Sequence, residues 1–259
     1  MHLPHDEPDE HGEHTKIDLE RRTLLARTGI GAAGGILAAS PLARAQEAGP
    51  VSVRADSFSQ MHQPKPLPFN SSALNGLSAR LIDSHWSNNY GGSVRALNET
   101  KRRLADALAD RDVPAYIYND LKREHLMRTG SVVLHELYFD NLGGNGRADA
   151  AAQRLLATAF GEFARWEAEF RRIANGLGGG SGWVVLGYNT IFGTLENYWM
   201  ADHMHNPAAS VPLLVMDMYE HSYHMDFGAA AGQYVDAFFN NINWEQVLER
   251  MEALRLSAA

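Results

Sequence analysis

The chain has 259 residues, of which 45% are hydrophobic and 21% charged, as in an ordinary soluble protein with one large or two small domains. Its net charge is −8 and no long basic run occurs in the part expected to fold, so nucleic acid is not expected as a partner. The absence of cysteine excludes disulfides, thiolate metal ligands and cysteine nucleophiles.

Residues 1–45 have the layout of a twin-arginine export signal. Arg21 and Arg22 precede a mildly apolar segment rich in Gly and Ala, and a small-x-small site follows at residues 43–45. The acidic, histidine-rich stretch before the arginines is interpreted as an extension discarded with the signal. The apolar segment is too short to span a membrane, so no membrane association is expected. The alternative is an amphipathic N-terminal helix.

The mature chain is therefore predicted to begin near Gln46 and to be periplasmic or secreted, with the twin-arginine machinery as partner of the precursor. That route carries folded proteins, which suits a cofactor loaded before export.

The first half of the mature chain predicts an extended arm and a helical hairpin, together residues 46–143. Residues 46–72 are rich in Pro, Ser and Gln and favour an extended arm. Helical spacing of apolar residues follows over 78–110, with a kink expected at Gly91-Gly92, and again over 120–141. A short turn between two such helices predicts an antiparallel pair.

The second half, residues 144–259, predicts a small α/β domain. A glycine-rich stretch after Leu142 marks the boundary. The expected elements are a helix over 149–175, three strands over 182–188, 190–199 and 212–217, and a helical region over 229–256. The first two strands are expected to meet at a tight connection formed by Tyr188 and Asn189. The predicted fold class is α+β, a helical hairpin followed by a three-stranded antiparallel sheet with helices.

Four residues are candidates for one metal site. Asp217 ends an apolar strand and His221 follows four residues later, and this pair of donor types suits Mn, Fe or Zn. His85 and His135 each lie mid-helix on the apolar side of one hairpin arm. A lone histidine in such a place is more often a hydrogen-bonded core residue. Two together, packed against the domain that carries Asp217, indicate a shared site.

These segments resemble the iron/manganese superoxide dismutase family over roughly residues 66–250. The resemblance rests on Ile82-Asp83-Ser84-His85-Trp86, on the stretch from Leu134-His135 through Tyr138 to Leu142, on Gly180-Ser181-Gly182-Trp183, on Asp217-Met218-Tyr219-Glu220-His221 and on Asn243-Trp244-Glu245. It implies superoxide as substrate, one Fe or Mn ion per subunit, and disproportionation to O₂ and H₂O₂ by ping-pong cycling of that ion. The implied ligands are His85, His135, Asp217 and His221. Trp183 would line the pocket, and Tyr138 would pack against the site from the second helix.

The residues expected around the ligands depart from the family pattern. The family's tyrosine eight residues after the first ligand falls on Ser93, and its histidine four residues after that ligand falls on Asn89. Tyr90, next to Asn89, is a candidate to point its phenol into the entrance. The resemblance also implies a homodimer bridged by Glu220, with His224 where the family has an interface tyrosine. Dimer and tetramer both stay open.

The glutamine that holds metal-bound solvent in the family is also absent. Its helical position falls on Ser131, which is too short. Its sheet position falls near His203, with His205 as second candidate, and a plain polar loop is the alternative. Without that glutamine, Fe and Mn both stay open.

Two other functions compete with dismutation. One is a metal-bearing but catalytically silent protein on the same fold, which Asn89 and Ser93 favour. The other is peroxide or oxygen chemistry at the metal, for which three histidines and an aspartate leave little open coordination. The intact ligand quartet favours the dismutase.

Overall fold

The computed structural model describes residues 57–257. The predicted export signal and the first part of the arm lie outside the described residues. Within residues 57–257, no helix combines the length and the apolar character needed to cross a membrane.

The first arm of the hairpin is one helical path in three stretches. Helix α1 (Ala79–Ser84) is capped by the hydroxyl of Ser78. A π-helical turn (His85–Tyr90) follows and runs directly into α2 (Gly91–Ala109). The irregularity therefore lies in the wide turn before the paired glycines and not at the glycines, which continue the helix. π-turns frequently occur at functional sites, and this one begins at a candidate ligand.

The second arm is α3 (Ala115–Asp140), which packs against α2 as the predicted hairpin partner. It begins five residues earlier than the spacing predicted, directly after Pro114, where the missing N–H costs no helical hydrogen bond. Asn141 ends the helix and donates its side-chain amide to the carbonyl of Val215 at 3.1 Å. That bond ties the end of the hairpin to the sheet.

The predicted single helix over 149–175 is wrong, because the structure has two helices there. Helix α4 (Ala150–Phe160) ends at Gly161, whose φ of +88° lies in the left-handed region. Glu162 is extended, and α5 (Phe163–Leu177) starts after it. A glycine in this conformation ends a helix without the steric cost that a Cβ would carry.

The three-stranded antiparallel sheet is confirmed. It comprises β1 (Trp183–Asn189), β2 (Thr194–Met200) and β3 (Ser210–Asp217), with β1 in the centre. The register pairs Trp183 with Asp217, so the indole and the carboxylate stand on neighbouring strands.

The connection between β1 and β2 differs from the prediction. Tyr188 and Asn189 belong to β1, and the turn occupies residues 190–193. The side chain of Asn189 accepts the N–H groups of the two residues after Thr190, and Gly193 has a φ of +69°. The residue that permits the turn is thus Gly193, four residues after Asn189.

Short helices complete the C-terminal half. A 3₁₀ turn (Glu220–Ser222) and α6 (His224–Phe227) follow β3. The predicted helical region contains α7 (Ala231–Asn240) and α8 (Trp244–Ala253). Buried side chains of β1, β3, α3, α5 and α7 form one apolar core, and the polar end of β3 opens onto α3.

Gly130 controls how closely the β2–β3 loop approaches α3. A Cβ at this position would lie 1.8 Å from the carbonyl oxygen of His203. We expect Gly130→Ala to lower the free energy of unfolding by about 1–3 kcal/mol, as overpacking does, in urea denaturation. Gly176→Ala is the matched control, because a Cβ there meets no atom within 4 Å. That variant should be neutral or gain up to about 1 kcal/mol. Equal effects would refute the close approach as the constraint.

Candidate metal centre

The structure brings the four predicted ligand residues to one point. His85 comes from the π-turn, His135 from α3, Asp217 from the end of β3 and His221 from the 3₁₀ turn. Each offers one ligand atom, and these atoms all lie within 4.8 Å of one another.

The Oδ2 atom of Asp217 is the centre of this cluster. It lies 3.1 Å from Nε2 of His85, 3.2 Å from Nε2 of His221 and 3.6 Å from Nε2 of His135. The other carboxylate oxygen, Oδ1, accepts the backbone N–H of Tyr219 at 2.8 Å. One oxygen is thus anchored to the backbone, and the other faces three imidazoles.

Burial and charge set the protonation of the cluster. Burial alone would raise the pKa of Asp217, but the charge of His221 and hydrogen bonds from His221 and His85 outweigh it and lower that pKa. Burial lowers the pKa of His85, and it lowers the pKa of His135 to about 3. An ionised Asp217 beside neutral His85 and His135 is the protonation state that metal binding requires of these three groups.

The hydrogen bonds of His135 orient its ring. Its Nδ1 donates to the carbonyl of Ser131 at 2.7 Å, so the neutral ring has no proton on Nε2. Nε2 is buried and has no hydrogen-bond partner among the described residues. An unshared pair that faces a carboxylate is costly unless a cation lies between them.

The donor set fits a single metal ion. Imidazole nitrogens and carboxylate oxygens typically lie about 2.0–2.2 Å from a bound ion, which places neighbouring donors about 3–4 Å apart. The observed 3.1–3.6 Å separations agree with this. Three imidazoles with one carboxylate suit Mn, Fe or Zn.

Trp183 and Tyr219 hold His203 beside the cluster. The indole Nε1 of Trp183 donates to Nδ1 of His203 at 3.0 Å, and the ring of Tyr219 stacks on His203 with centroids 4.7 Å apart. Because burial lowers the pKa of His203, its ring is neutral and carries its proton on Nε2. The His203 and His135 rings are 5.9 Å apart. By contrast, His205 is 55% exposed and bonds to Asp202.

Tyr138 packs against the ligands from inside the protein. Its ring lies 5.1 Å from that of His85 and is fully buried. Its hydroxyl is 3.2 Å from that of Tyr234, which donates to the backbone carbonyl of Asp217 at 2.7 Å. Burial raises the pKa of both phenols, so they stay protonated.

Tyr90 lies beside the cluster but turns its hydroxyl away from the entrance. Its ring is 6.4 Å from that of His135. The hydroxyl donates to Glu136 at 2.9 Å and accepts the backbone N–H of Lys65 at 2.8 Å. Its pKa is raised to about 12, mainly by burial. Tyr90 therefore joins the arm to the hairpin.

An open cavity of about 480 Å³ leads to the ligands from the other side. Its wall comprises polar, small and aromatic residues, which are Asn88, Asn89, Gly92, Ser93, Ala96, Arg128, Ser131, His135, His203, Tyr219 and His221. Ser93 and Ser131 hydrogen-bond to each other at 2.8 Å beside His135. Small molecules can reach the cluster from solvent through this opening.

The two residues predicted at a dimer bridge lie at the surface. The side chains of Glu220 and His224 are 55% and 59% exposed, and Nδ1 of His224 lies 3.9 Å from Oε2 of Glu220.

The sequence patterns did not identify Glu136, Arg128 or Tyr234 as residues near the site. The carboxylate of Glu136 contacts two side chains of the arm, His62 and, at 2.6 Å, Lys65. A carboxylate directly after a candidate ligand, on a helix with an apolar face, was the available signal for Glu136.

Comparisons with known proteins agree on one family. Residues 148–250 match the family model of the C-terminal domain of iron/manganese superoxide dismutases. The chain is 48% identical over 193 residues to an iron superoxide dismutase of Cupriavidus metallidurans, an alignment that covers 74% of this chain and 98% of that one. It is 36% identical to an iron superoxide dismutase of Aquifex pyrophilus, over 69% of this chain and 86% of the other. A manganese superoxide dismutase of Mycolicibacterium smegmatis is 33% identical, with coverage of 68% and 86%.

Burial of His135 should make the stability of the metal-free protein depend on pH. Between the folded-state pKa of His135, about 3, and the unfolded value, about 6.5, only the unfolded chain binds the proton. The free energy of unfolding should therefore fall as pH falls through that window, by up to about 1.4 kcal/mol per pH unit for this group. Urea denaturation of chelator-treated protein between pH 4 and 8 measures the slope. His135→Gln should make it shallower, and an unchanged slope would contradict the assignment.

Proposed function

We propose, from the premise that the chain belongs to the iron/manganese superoxide dismutase family, that it disproportionates superoxide at one Fe or Mn ion per subunit. The observation that carries the proposal is the convergence of three imidazoles and one carboxylate at the inner end of an open cavity.

His85, His135, Asp217 and His221 would hold the ion. When bound, it supplies one-electron chemistry in two half-reactions, in which one superoxide loses an electron to give O₂ and a second gains it, with two protons, to give H₂O₂. The three imidazoles and the single carboxylate keep the site compatible with both the +2 and +3 ions.

The chain's own residues would govern protons and water. His203 presents an N–H from Nε2, because Trp183 occupies Nδ1, and that donor can hold a solvent molecule at the site. Trp183 and Tyr138 keep the inner side of the ligands apolar and closed. Asn89 and the hydroxyl pair of Ser93 and Ser131 line the side from which water supplies protons.

A catalytically silent metal-binding protein is the second candidate. Ser93 stands where the family has a tyrosine, and its hydroxyl is hydrogen-bonded to that of Ser131. The cavity therefore lacks a phenol at this position, which favours the silent protein. Turnover by metal-loaded protein separates the two functions.

Export and assembly are further parts of this proposal. The paired arginines and the small-x-small site support twin-arginine export to the periplasm or beyond, and retention of the precursor in an Arg21→Lys/Arg22→Lys variant would test it. The exposed Glu220 next to His221 supports a homodimer, and a monomer in sedimentation at micromolar concentration would refute it.

The ligand set predicts a loss of metal in two variants. Mature protein from Gln46 onward, loaded separately with Fe and Mn, should accelerate superoxide decay in pulse radiolysis with one or both metals. His135→Ala and Asp217→Ala should lose stoichiometric metal, measured by elemental analysis, and activity with it. Full metal occupancy in either variant would contradict the ligand assignment. Full metal occupancy without turnover in the unmutated protein would favour the silent protein.

His203 and His205 provide a matched pair for the role of the loop. His203→Ala should keep the metal yet lower the rate by roughly 10–100-fold, as loss of a supporting hydrogen bond does at metal sites. His205→Ala removes an exposed imidazole of the same loop and should leave the rate within twofold. Equal losses would indicate a general effect on the loop.

A further inference from the structure

Arg128 is the one fixed positive charge in the wall of the cavity that leads to the ligands. The other wall residues are polar, small or aromatic, or are the histidines His135, His203 and His221, and none of them is acidic. An anion entering here therefore meets a guanidinium and no carboxylate of the wall until it reaches the ligand cluster.

The position of Arg128 on α3 aligns it with the path inward. Arg128, Ser131 and His135 follow one another at spacings of three and four residues, so they share a face of the helix. Seven residues at a rise of about 1.5 Å place Arg128 about 10 Å along the axis from His135. Arg128 thus lies outside ligand contact, at a distance comparable with the Debye length of about 10 Å at 0.1 M salt, so its effect should be strongest at low ionic strength.

Glu124 holds Arg128 by only one nitrogen. Nε of Arg128 donates to Oε1 of Glu124 at 2.7 Å, one turn further out on the helix, and the Arg128 side chain is 32% exposed. Within residues 57–257, the two terminal nitrogens of this guanidinium make no hydrogen bond. Those nitrogens remain able to attract an anion, although Glu124 offsets part of the charge.

The charge matters because the rest of the chain opposes an anionic substrate. The formal net charge is −8, so the average field repels a monoanion. A local cation in a cleft with low-dielectric walls concentrates the field and raises the local concentration of anions.

We propose that Arg128 draws small monovalent anions, superoxide among them, into the cavity, and that its ion pair with Glu124 limits this attraction. Superoxide as the attracted anion rests on the proposed function, whereas the attraction of small anions in general does not. Arg128 acts through its field and touches no reacting atom, so it is a positioning residue.

The kinetic test uses full-length, metal-quantified protein at several ionic strengths. Arg128→Gln should lower kcat/KM for superoxide about 3–10-fold at low salt and flatten its dependence on ionic strength, with kcat little changed. Arg128→Lys should restore most of the rate. Glu124→Gln, which releases the guanidinium, should raise kcat/KM and steepen the salt dependence.

Arg103→Gln is the matched control. Arg103, at an exposed position of α2, forms the same type of i, i+4 ion pair, with Nε 2.7 Å from Glu99, and it does not line the cavity. The Arg103→Gln substitution changes the net charge by the same amount as Arg128→Gln. If Arg103→Gln matches Arg128→Gln, the effect belongs to overall charge and the proposal is overturned.

Azide binding provides a readout that does not depend on turnover. Titration of the metal absorption spectrum should show a several-fold weaker azide affinity in Arg128→Gln at equal metal content, and no change in Arg103→Gln. Selective weakening in a protein without dismutase activity would support the anion role while refuting the proposed function. Unchanged azide affinity in Arg128→Gln would overturn the inference.

Discussion

The contact between the Asp217 carboxylate and three imidazoles is the constraint on which the rest of the structure depends. This ionised group is fully buried, and a buried charge without a partner costs several kcal/mol. His85, His135 and His221 reach it from the π-turn, α3 and the 3₁₀ turn. The hairpin and the sheet must therefore pack so that side chains from four separate elements meet at one point.

Backbone groups keep these ligands in place. The N–H of Tyr219 orients one carboxylate oxygen, the hydroxyl of Tyr234 holds the Asp217 carbonyl, and the carbonyl of Ser131 fixes the ring of His135. Ser131 and Tyr234 are themselves buried in the core. A donor set held this way can bind a metal ion without large rearrangement.

The two sides of the site differ in a way that suits a small anionic substrate. On the inner side, tyrosines and the indole of Trp183 exclude water. On the outer side, the β2–β3 loop lies on Gly130 and brings His203 to the wall of the cavity that also contains Arg128. The arm closes a third side, where Glu136 gathers groups from the arm and from both hairpin helices.

The sequence by itself determined the class of elements, their order and the identity of the candidate ligands, because apolar periodicity and motif spacing are local properties. It missed the break at Gly161, which a positive φ imposes on one residue inside a continuous helical pattern. Only the tertiary structure decided that Tyr90 faces the arm, that His203 and not His205 reaches the cavity, and that Arg128 lines it. These outcomes depend on a π-turn, a loop seated on a glycine and the packing of residues far apart in the chain, and such long-range contacts leave no periodic signal.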